Sequence, residues 1–293
     1  MTYQEVYKKA EEILRTQGIE DAANDAWILL EHVTGMDRTR YYVDGYREMP
    51  KKEEHRFLSL IERRSCRIPV QHLTGVQEFM GLEFLVNEHV LVPRQDTEIL
   101  VEAAEQKLRR ISDTRRRETC DEVVEVLDMC TGSGCIPISL KVRNPEVHFQ
   151  AADISEKALE VAAENAEKLN VEVEFLRSDM FGEIQGEFDL ITSNPPYIPT
   201  KVIQGLEAEV RLHDPLEALD GLEDGLHFYR ILAKESPRHL KDGGWLYMEI
   251  GHDQSEAVES LLRENGFAQI RTQKDLAGLD RVVSGVYNRH SGS

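Results

Sequence analysis

The sequence predicts an α/β protein: a doubly wound sheet of seven strands, preceded by a small N-terminal helical domain and a β-hairpin linker. Three observations carry this. In residues 1–65 the apolar residues recur at helical spacing. Between 70 and 93 short alternating apolar runs surround glycines, as in a hairpin. From 123 onward, strand-like apolar runs alternate with helical segments, the pattern of an open sheet covered by helices.

The elements follow in order. Ala22, Ala26, Leu29, Leu30 and Val33 share one helical face, and Gly35 is placed to stop that helix. Residues 52–64 form a second amphipathic set. Residues 96–110 read as a helix, and 111–121, with Arg115, Arg116 and Arg117 in succession, as an exposed polar loop. Strands are expected over 123–129, 147–154, 171–180, 188–194 and 245–251, and two more within 268–288 around a turn at Gly278. Helices are expected from the glycine loop to about 142, then over 155–169, 224–240 and 254–265. Ser155 is the expected N-cap of the second of these, with Leu159, Ala162, Ala166 and Leu169 on its inner face. The domain boundaries drawn from this are 1–68, 69–95 and 96–293. No internal repeat or low-complexity tract is evident.

Composition narrows the function. The formal charge of −19 over 293 residues argues against a long duplex-DNA footprint, which depends on Lys and Arg neutralising phosphates. An acidic surface serves solubility, and also suits a basic protein partner or a cationic ligand. No apolar run is long enough to span a bilayer. The N-terminus lacks a signal-peptide apolar stretch and carries Glu5, Glu11 and Glu12, unlike an acid-poor transit peptide. The expectation is a cytoplasmic protein with no membrane association. Cys66, Cys120, Cys130 and Cys135 form no C-x-x-C pair, and no His cluster has zinc spacing. Reduced thiols and no metal are expected.

Two motifs carry chemistry. The first is Asp128-Met129-Cys130-Thr131-Gly132-Ser133-Gly134, which closes one strand and opens a helix. Its glycines permit a tight turn and close approach of a ligand to the main chain. Asp153 ends the next strand, where a carboxylate can accept hydrogen bonds from the ribose hydroxyls of a nucleoside. Ser178, Asp179 and Met180 end the third and can border an adenine. The loop lacks the full G-x-G-x-x-G spacing of dinucleotide sites and the Lys-Ser/Thr ending of a P-loop.

The second motif, Asn194-Pro195-Pro196-Tyr197, ends the fourth strand. Its prolines stiffen the turn and hold the residue before each extended. Asn194 supplies a side-chain acceptor and Pro195 a main-chain acceptor, a pair that can grip an NH2 group, while Tyr197 adds a flat face. This suits methylation of an amide nitrogen, whose lone pair is otherwise delocalised. Positioning at roughly 3–3.5 Å and electrostatics would then supply the rate. Asn194, Pro195 and Tyr197 are the expected catalytic residues.

At these residues the chain resembles the release-factor glutamine N5-methyltransferases, the HemK/PrmC family, over nearly its whole length. Arg67 to Gly75 and Phe79-Met80-Gly81-Leu82 look like the family's linker hairpin, and Leu91 to Glu98 like its Pro-Arg-Pro-Asp-Thr-Glu element. Asn194 to Tyr197 is the signature tetrapeptide. Asp214-Pro215, Ala218-Leu219, Asp224-Gly225-Leu226, Phe228-Tyr229-Arg230, Glu249-Ile250-Gly251, Asp275-Leu276-Ala277-Gly278 and Asp280-Arg281 follow its course.

The resemblance implies a Rossmann-like, class I S-adenosylmethionine methyltransferase domain over 96–293, a hairpin linker over 69–95 and a substrate-docking domain over 1–68. It implies methyl transfer from S-adenosyl-L-methionine, leaving S-adenosyl-L-homocysteine, to the glutamine of the Gly-Gly-Gln motif in class-1 peptide-chain release factors. Cofactor contacts are expected from Asp128, Cys130, Thr131, Gly132, Ser133, Gly134, Asp153, Asp179, Met180 and Asn194, and substrate contacts from Asn194, Pro195, Pro196 and Tyr197. A monomer with no stable nucleic-acid partner is expected. Ribosomal-protein glutamine methylation and adenine-N6 DNA methylation are the alternatives, since an exocyclic amine also presents an NH2.

Three residues depart from the family pattern. Cys130 replaces the usual first loop glycine, Met180 the usual aromatic cover of the adenine (with Phe181 adjacent), and Gln95 the second proline of the Pro-Arg-Pro element. Arg94 and Glu98 can form a structural ion pair bracing the hairpin.

Overall fold

The computed structural model describes residues 1–117 and 122–289. The chain opens with α1 (Tyr3–Thr16), α2 (Ala22–Thr34), α3 (Arg38–Asp44), α4 (Lys51–Ser65) and α5 (Val70–Thr74), followed by the hairpin β1 (Val76–Phe79) and β2 (Leu82–Leu85). Then come α6 (Gln95–Arg117), β3 (Glu125–Met129), α7 (Cys135–Arg143), β4 (His148–Asp153), α8 (Glu156–Lys168), β5 (Glu174–Arg177) and β6 (Phe188–Ser193). Short helices α9 (Thr200–Ile203), α10 (Ala208–His213) and α11 (Leu216–Leu219) lead to α12 (His227–Glu235), β7 (Leu240–Glu249), α13 (Ser255–Glu264), β8 (Phe267–Lys274) and β9 (Asp280–Tyr287).

Contacts divide the chain into two compact units: Met1–Val76 with Leu206–His213, and Gln77–Gly205 with Asp214–Ser293. In the first, Val6, Ala10 and Leu14 of α1, Leu29 and Leu30 of α2 and Phe57 and Ile61 of α4 form one apolar core. Local signals end its helices. Thr2 and Glu5 make a reciprocal capping box at the start of α1, and Gly35, at φ 63°, closes α2 in the left-handed conformation. The segment 206–213 joins this unit through charge. Arg64, buried, donates to Asp25 at 2.7 Å and to Glu209 of α10 at 3.1 Å, and Arg67 pairs with the same Glu209 at 3.2 Å. Burial raises Asp25 above its ordinary range, so Arg64 is needed to hold the carboxylate charged.

The second unit holds a seven-stranded sheet of order β5-β4-β3-β6-β7-β9-β8. β3 to β7 pair in parallel, and β9 runs antiparallel to both β7 and β8. Alternate residues of β3 enter different cores. Val126 packs with Leu100 and Leu108 of α6 and Ile138 of α7, whereas Leu127 and Met129 pack with Tyr229 of α12 and Leu262 of α13. Helices therefore cover both faces, the doubly wound architecture expected. No helix among the described residues is long and apolar enough to cross a membrane.

The structure corrects several local expectations. Residues 70–74 are helical rather than part of the hairpin, with Gly75 closing the turn at φ 78°. The hairpin itself is short, turning through Met80 and Gly81, both at positive φ. The loop expected over 111–121 is helical as far as Arg117, and 118–121 lie outside the described residues. Arg115 explains the helix: its guanidinium donates to the carbonyls of Glu122 and Val123 and pairs with Asp189, so the polar run is held by partners. The helix expected over 224–240 stops at Glu235, and a 3-10 turn at Ser236-Pro237-Arg238 follows because proline has no N–H to continue it. β7 then starts at Leu240, ahead of the expected 245, and β5 is confined to Glu174–Arg177.

Candidate active site

The sheet places the site. The registers of β3 with β4 and β6 align Met129 with Ala152 and Ser193, so the loops leaving these strands begin at one level. The strand order reverses here, where open α/β sheets form their ligand crevice. A cavity of about 500 Å³ opens at this point.

The glycine loop turns through the left-handed region at Cys130 (φ 60°), Gly132 (φ 56°) and Gly134 (φ 77°). Gly134 is required by packing as well as conformation. A Cβ there would sit 2.8 Å from Ile138 Cδ1 and 3.1 Å from Ala162 Cβ, so glycine lets α7 lie against α8. Gly132 is the opposite case, with nothing within 4 Å of where a Cβ would stand. Its N–H donates to Asp153 Oδ2 at 2.9 Å, and the other oxygen of Asp153 accepts from the Ser155 N–H at 2.9 Å. The carboxylate thus ties the loop to the end of β4. Burial pushes it above its ordinary range, against these N–H donors.

Cys130, Thr131, Gly132, Ser133, Asp153, Asp179, Met180 and Asn194 border the cavity. Asp128 does not. It is fully buried behind the loop, where the Thr192 hydroxyl donates to its Oδ1 at 2.6 Å, and burial raises it to about 7. Gly134 also lies behind the lining.

The departures noted in the sequence have distinct outcomes. Cys130 keeps the left-handed backbone although it carries a Cβ, and its Sγ lies 4.0 Å from Met180 Sδ. Met180, also at positive φ, supplies the apolar wall. The adjacent Phe181 does not substitute for it, being stacked on His239 with ring centroids 4.9 Å apart. Gln95 opens α6. The anticipated Arg94–Glu98 pair is not formed: Arg94 donates to Asp214 at 2.9 Å, and Glu98 accepts from the Met80 N–H at 2.7 Å. Arg94 has found a buried carboxylate and Glu98 a main-chain donor instead of each other. Cys66, Cys130 and Cys135 are free thiols, and Cys120 lies outside the described residues.

In the tetrapeptide, Asn194 and Pro196 border the cavity while Pro195 and Tyr197 do not. Asn194 Nδ2 donates to Thr97 Oγ1 at 3.3 Å. The Tyr197 hydroxyl donates to Glu249 Oε1 at 3.3 Å. Burial pushes Glu249 up to about 7, opposed by the Thr97 hydroxyl, Arg281 and Tyr197. Burial and the adjacent Glu249 also raise Tyr197 well above its usual range.

Several residues that build the site carried no local sequence signal. Thr97, on the first turn of α6, reaches Asn194 across 97 positions of chain. Asn165 of α8 donates to the carbonyls of Ser133 and Leu85, each at 3.0 Å, joining the glycine loop to the hairpin. Ile154, Leu216 and Leu222 line the cavity yet remain exposed, giving it an apolar rim.

Comparison with known proteins agrees with this geometry. Residues 5–75 match the family model described as PrmC N-terminal domain, and residues 115–211 match the Methyltransferase small domain. The release factor glutamine methyltransferase of Geobacter sulfurreducens is 38% identical over 273 residues, covering 93% of this chain and 92% of that one. That of Caulobacter vibrioides is 40% identical over 291 residues, covering 98% and 97%. The chain belongs to the release factor glutamine methyltransferase family. The fold is shared more widely than the family. The solved hMettl16 catalytic domain, in complex with MAT2A 3'UTR hairpin 6, has a TM-score of 0.56 at 14% identity, covering 77% of this chain and 82% of that one.

The cavity of this release factor glutamine methyltransferase family member fits S-adenosylmethionine, the methyl donor of such enzymes. Its volume of about 500 Å³ suits a small molecule. Gly132 leaves the main chain open to a ligand, and Asp153 and Asp179 face the cavity as carboxylates able to accept from hydroxyl or amino groups. Met180, Ile136 and Leu91 give apolar surface for a planar ring. No group of three or more His, Cys, Asp or Glu able to hold a metal ion occurs among the described residues.

Proposed function

We propose that this protein transfers the methyl group of S-adenosyl-L-methionine to the side-chain amide nitrogen of the glutamine in the Gly-Gly-Gln motif of class-1 peptide-chain release factors, releasing S-adenosyl-L-homocysteine. The observation that carries the reading is that Asn194 borders the same cavity as the glycine loop and Asp153. An NH2-gripping acceptor and a nucleoside-sized cradle therefore share one space. Similarity along nearly the whole chain to release factor glutamine methyltransferases supports the choice of substrate.

On this reading Cys130, Thr131, Gly132, Ser133, Asp153, Asp179 and Met180 hold the cofactor, with Asp128 and Gly134 shaping the loop from behind. When bound, the cofactor supplies an electrophilic methyl on a sulfonium. The protein's part is positional. Asn194 Oδ1 accepts an amide N–H and aims the nitrogen lone pair, and buried Pro196 keeps the turn stiff; the Pro195 carbonyl, expected as the second acceptor, does not border the cavity. Tyr197, anchored by Glu249, braces the turn from the side away from the cavity. The methylated nitrogen then sheds a proton to solvent. Residues 1–68 dock the body of the factor, 69–95 link, and 96–293 catalyse. A translation factor as substrate supports a cytoplasmic location.

The test is incorporation of labelled methyl into purified unmethylated release factor, with a ribosomal protein fraction and duplex DNA as parallel acceptors. Label in the release factor is expected. Label only in the ribosomal fraction or in DNA would overturn the substrate assignment.

A further inference from the structure

We propose that Thr97 is a positioning residue for methyl transfer: it fixes which way round the Asn194 amide sits, so that the oxygen and not the nitrogen meets the substrate. The inference rests on the reading of Asn194 as the substrate-gripping acceptor.

Asparagine presents a donor at one end and an acceptor at the other, and rotation by half a turn exchanges them. An NH2 substrate is gripped by the oxygen and repelled by the nitrogen. The orientation of Asn194 is therefore decisive, and its own turn does not fix it. Thr97 does. Its hydroxyl is buried at the edge of the cavity and accepts from Asn194 Nδ2 at 3.3 Å, which leaves Oδ1 as the available acceptor.

A threonine hydroxyl can also donate, and if it donated to Asn194 the amide would turn over. Glu249 opposes this: it is buried, and the Thr97 hydroxyl is among the groups that favour its charged form, as a hydroxyl turned to donate toward it would. It also accepts from the Tyr197 hydroxyl at 3.3 Å, at the far end of the tetrapeptide. Arg281 of β9 faces Glu249 and is itself paired with Asp96 at 3.1 Å and Asp275 at 3.0 Å, which keeps a positive charge behind the carboxylate. The chain of polarity runs from Arg281 through Glu249 and Thr97 to Asn194.

The experiment measures kcat, KM for the release factor, cofactor Kd by calorimetry and the melting temperature for wild type, Thr97→Val, Thr97→Ser and Glu249→Gln. Valine keeps the shape of threonine and loses the hydroxyl. The expected result is a kcat lower by roughly 10- to 100-fold in Thr97→Val, with KM and cofactor Kd within about twofold of wild type. Serine restores kcat. Glu249→Gln lowers kcat in the same direction, because an amide there can donate to Thr97 and reverse the chain. A Thr97→Val enzyme with wild-type kcat overturns the proposal. So does a loss shared equally by kcat, cofactor Kd and melting temperature and not rescued by serine, which is the signature of a merely structural threonine. A wild-type enzyme that methylates no release factor overturns the reading of Asn194 and this inference with it, a result separable from the others because it appears before any substitution.

Discussion

The side-chain amide of Gln254 donates to the main-chain oxygen of Tyr197 at 3.0 Å, and its own oxygen accepts from the Gly251 N–H at 2.9 Å. The tetrapeptide is therefore held from behind by the loop that follows β7. Gly225 closes the same contact: a Cβ there would stand 2.3 Å from the Tyr197 carbonyl oxygen and 2.7 Å from Gln254 Nε2. Replacing Gln254 by Leu strands three main-chain groups, the Gly251 N–H and the carbonyls of Tyr197 and Gly225, at a cost of about 1–3 kcal/mol for each buried one. The expected outcome is a lower denaturant midpoint and a kcat reduced more than cofactor affinity. Gly225→Ala should be at least as damaging. Unchanged unfolding curves for both would show that the brace carries no weight.

Cys130 offers a prediction that separates two substitutions. Its left-handed backbone costs a residue with a Cβ about 1–2 kcal/mol, which glycine avoids while losing roughly 0.5–1 kcal/mol to chain entropy. Cys130→Gly should leave stability within about 1 kcal/mol of wild type and retain cofactor binding. Cys130→Val should be clearly less stable, since a β-branched side chain tolerates positive φ poorly. Thermal melting and cofactor titration of the two variants decide it, and equal behaviour would argue against backbone strain at this position.

Asp153 accepts from both the Gly132 and the Ser155 N–H groups, so it organises the loop whether or not a ligand is present. Asp153→Ala is expected to weaken cofactor binding at least roughly tenfold, the loss of about one charged hydrogen bond, and to lower the melting temperature of the ligand-free protein as well. If affinity fell with no change in the ligand-free melt, the bracing role would be wrong.

Asp128 makes stability depend on pH in a defined direction. Burial raises it to about 7 in the folded chain, from 3.8 when unperturbed. The folded state then binds the proton more tightly than the unfolded state, so this contribution is complete below the unfolded value and is lost as pH rises through the folded one. Asp128→Asn keeps an acceptor for the Thr192 hydroxyl without the titration. The variant should gain stability relative to wild type between about pH 4 and 7, on the order of 1–4 kcal/mol, and no further above that. Parallel melting curves at each pH would contradict the shift.

The sequence made the sheet and the cavity floor readable because both are local. Apolar runs, the glycine loop and the acids that end strands declare themselves within a few residues. Asp153, Met180 and Asn194 all border the cavity, as their strand-end positions lead one to expect. What escaped is non-local. Thr97, Asn165 and Gln254 act through hydrogen bonds to residues as far as 97, 80 and 57 positions away, and nothing in their own neighbourhoods distinguishes them. The helix through Arg117 is hidden from the sequence for the same reason, since the partners of Arg115 lie beyond the run. Arg94 and Glu98, adjacent on one turn, suggested each other, and the fold gave each a partner from a distant segment.

Peptide mass spectrometry on a release factor incubated with the enzyme and S-adenosylmethionine tests the central claim most directly, with the Gln→Ala variant of its Gly-Gly-Gln motif alongside. The account predicts one methyl group on that glutamine side chain, none on the variant, and none when the enzyme carries Asn194→Ala. A methyl group elsewhere in the factor, or undiminished methylation by the Asn194→Ala enzyme, would contradict it.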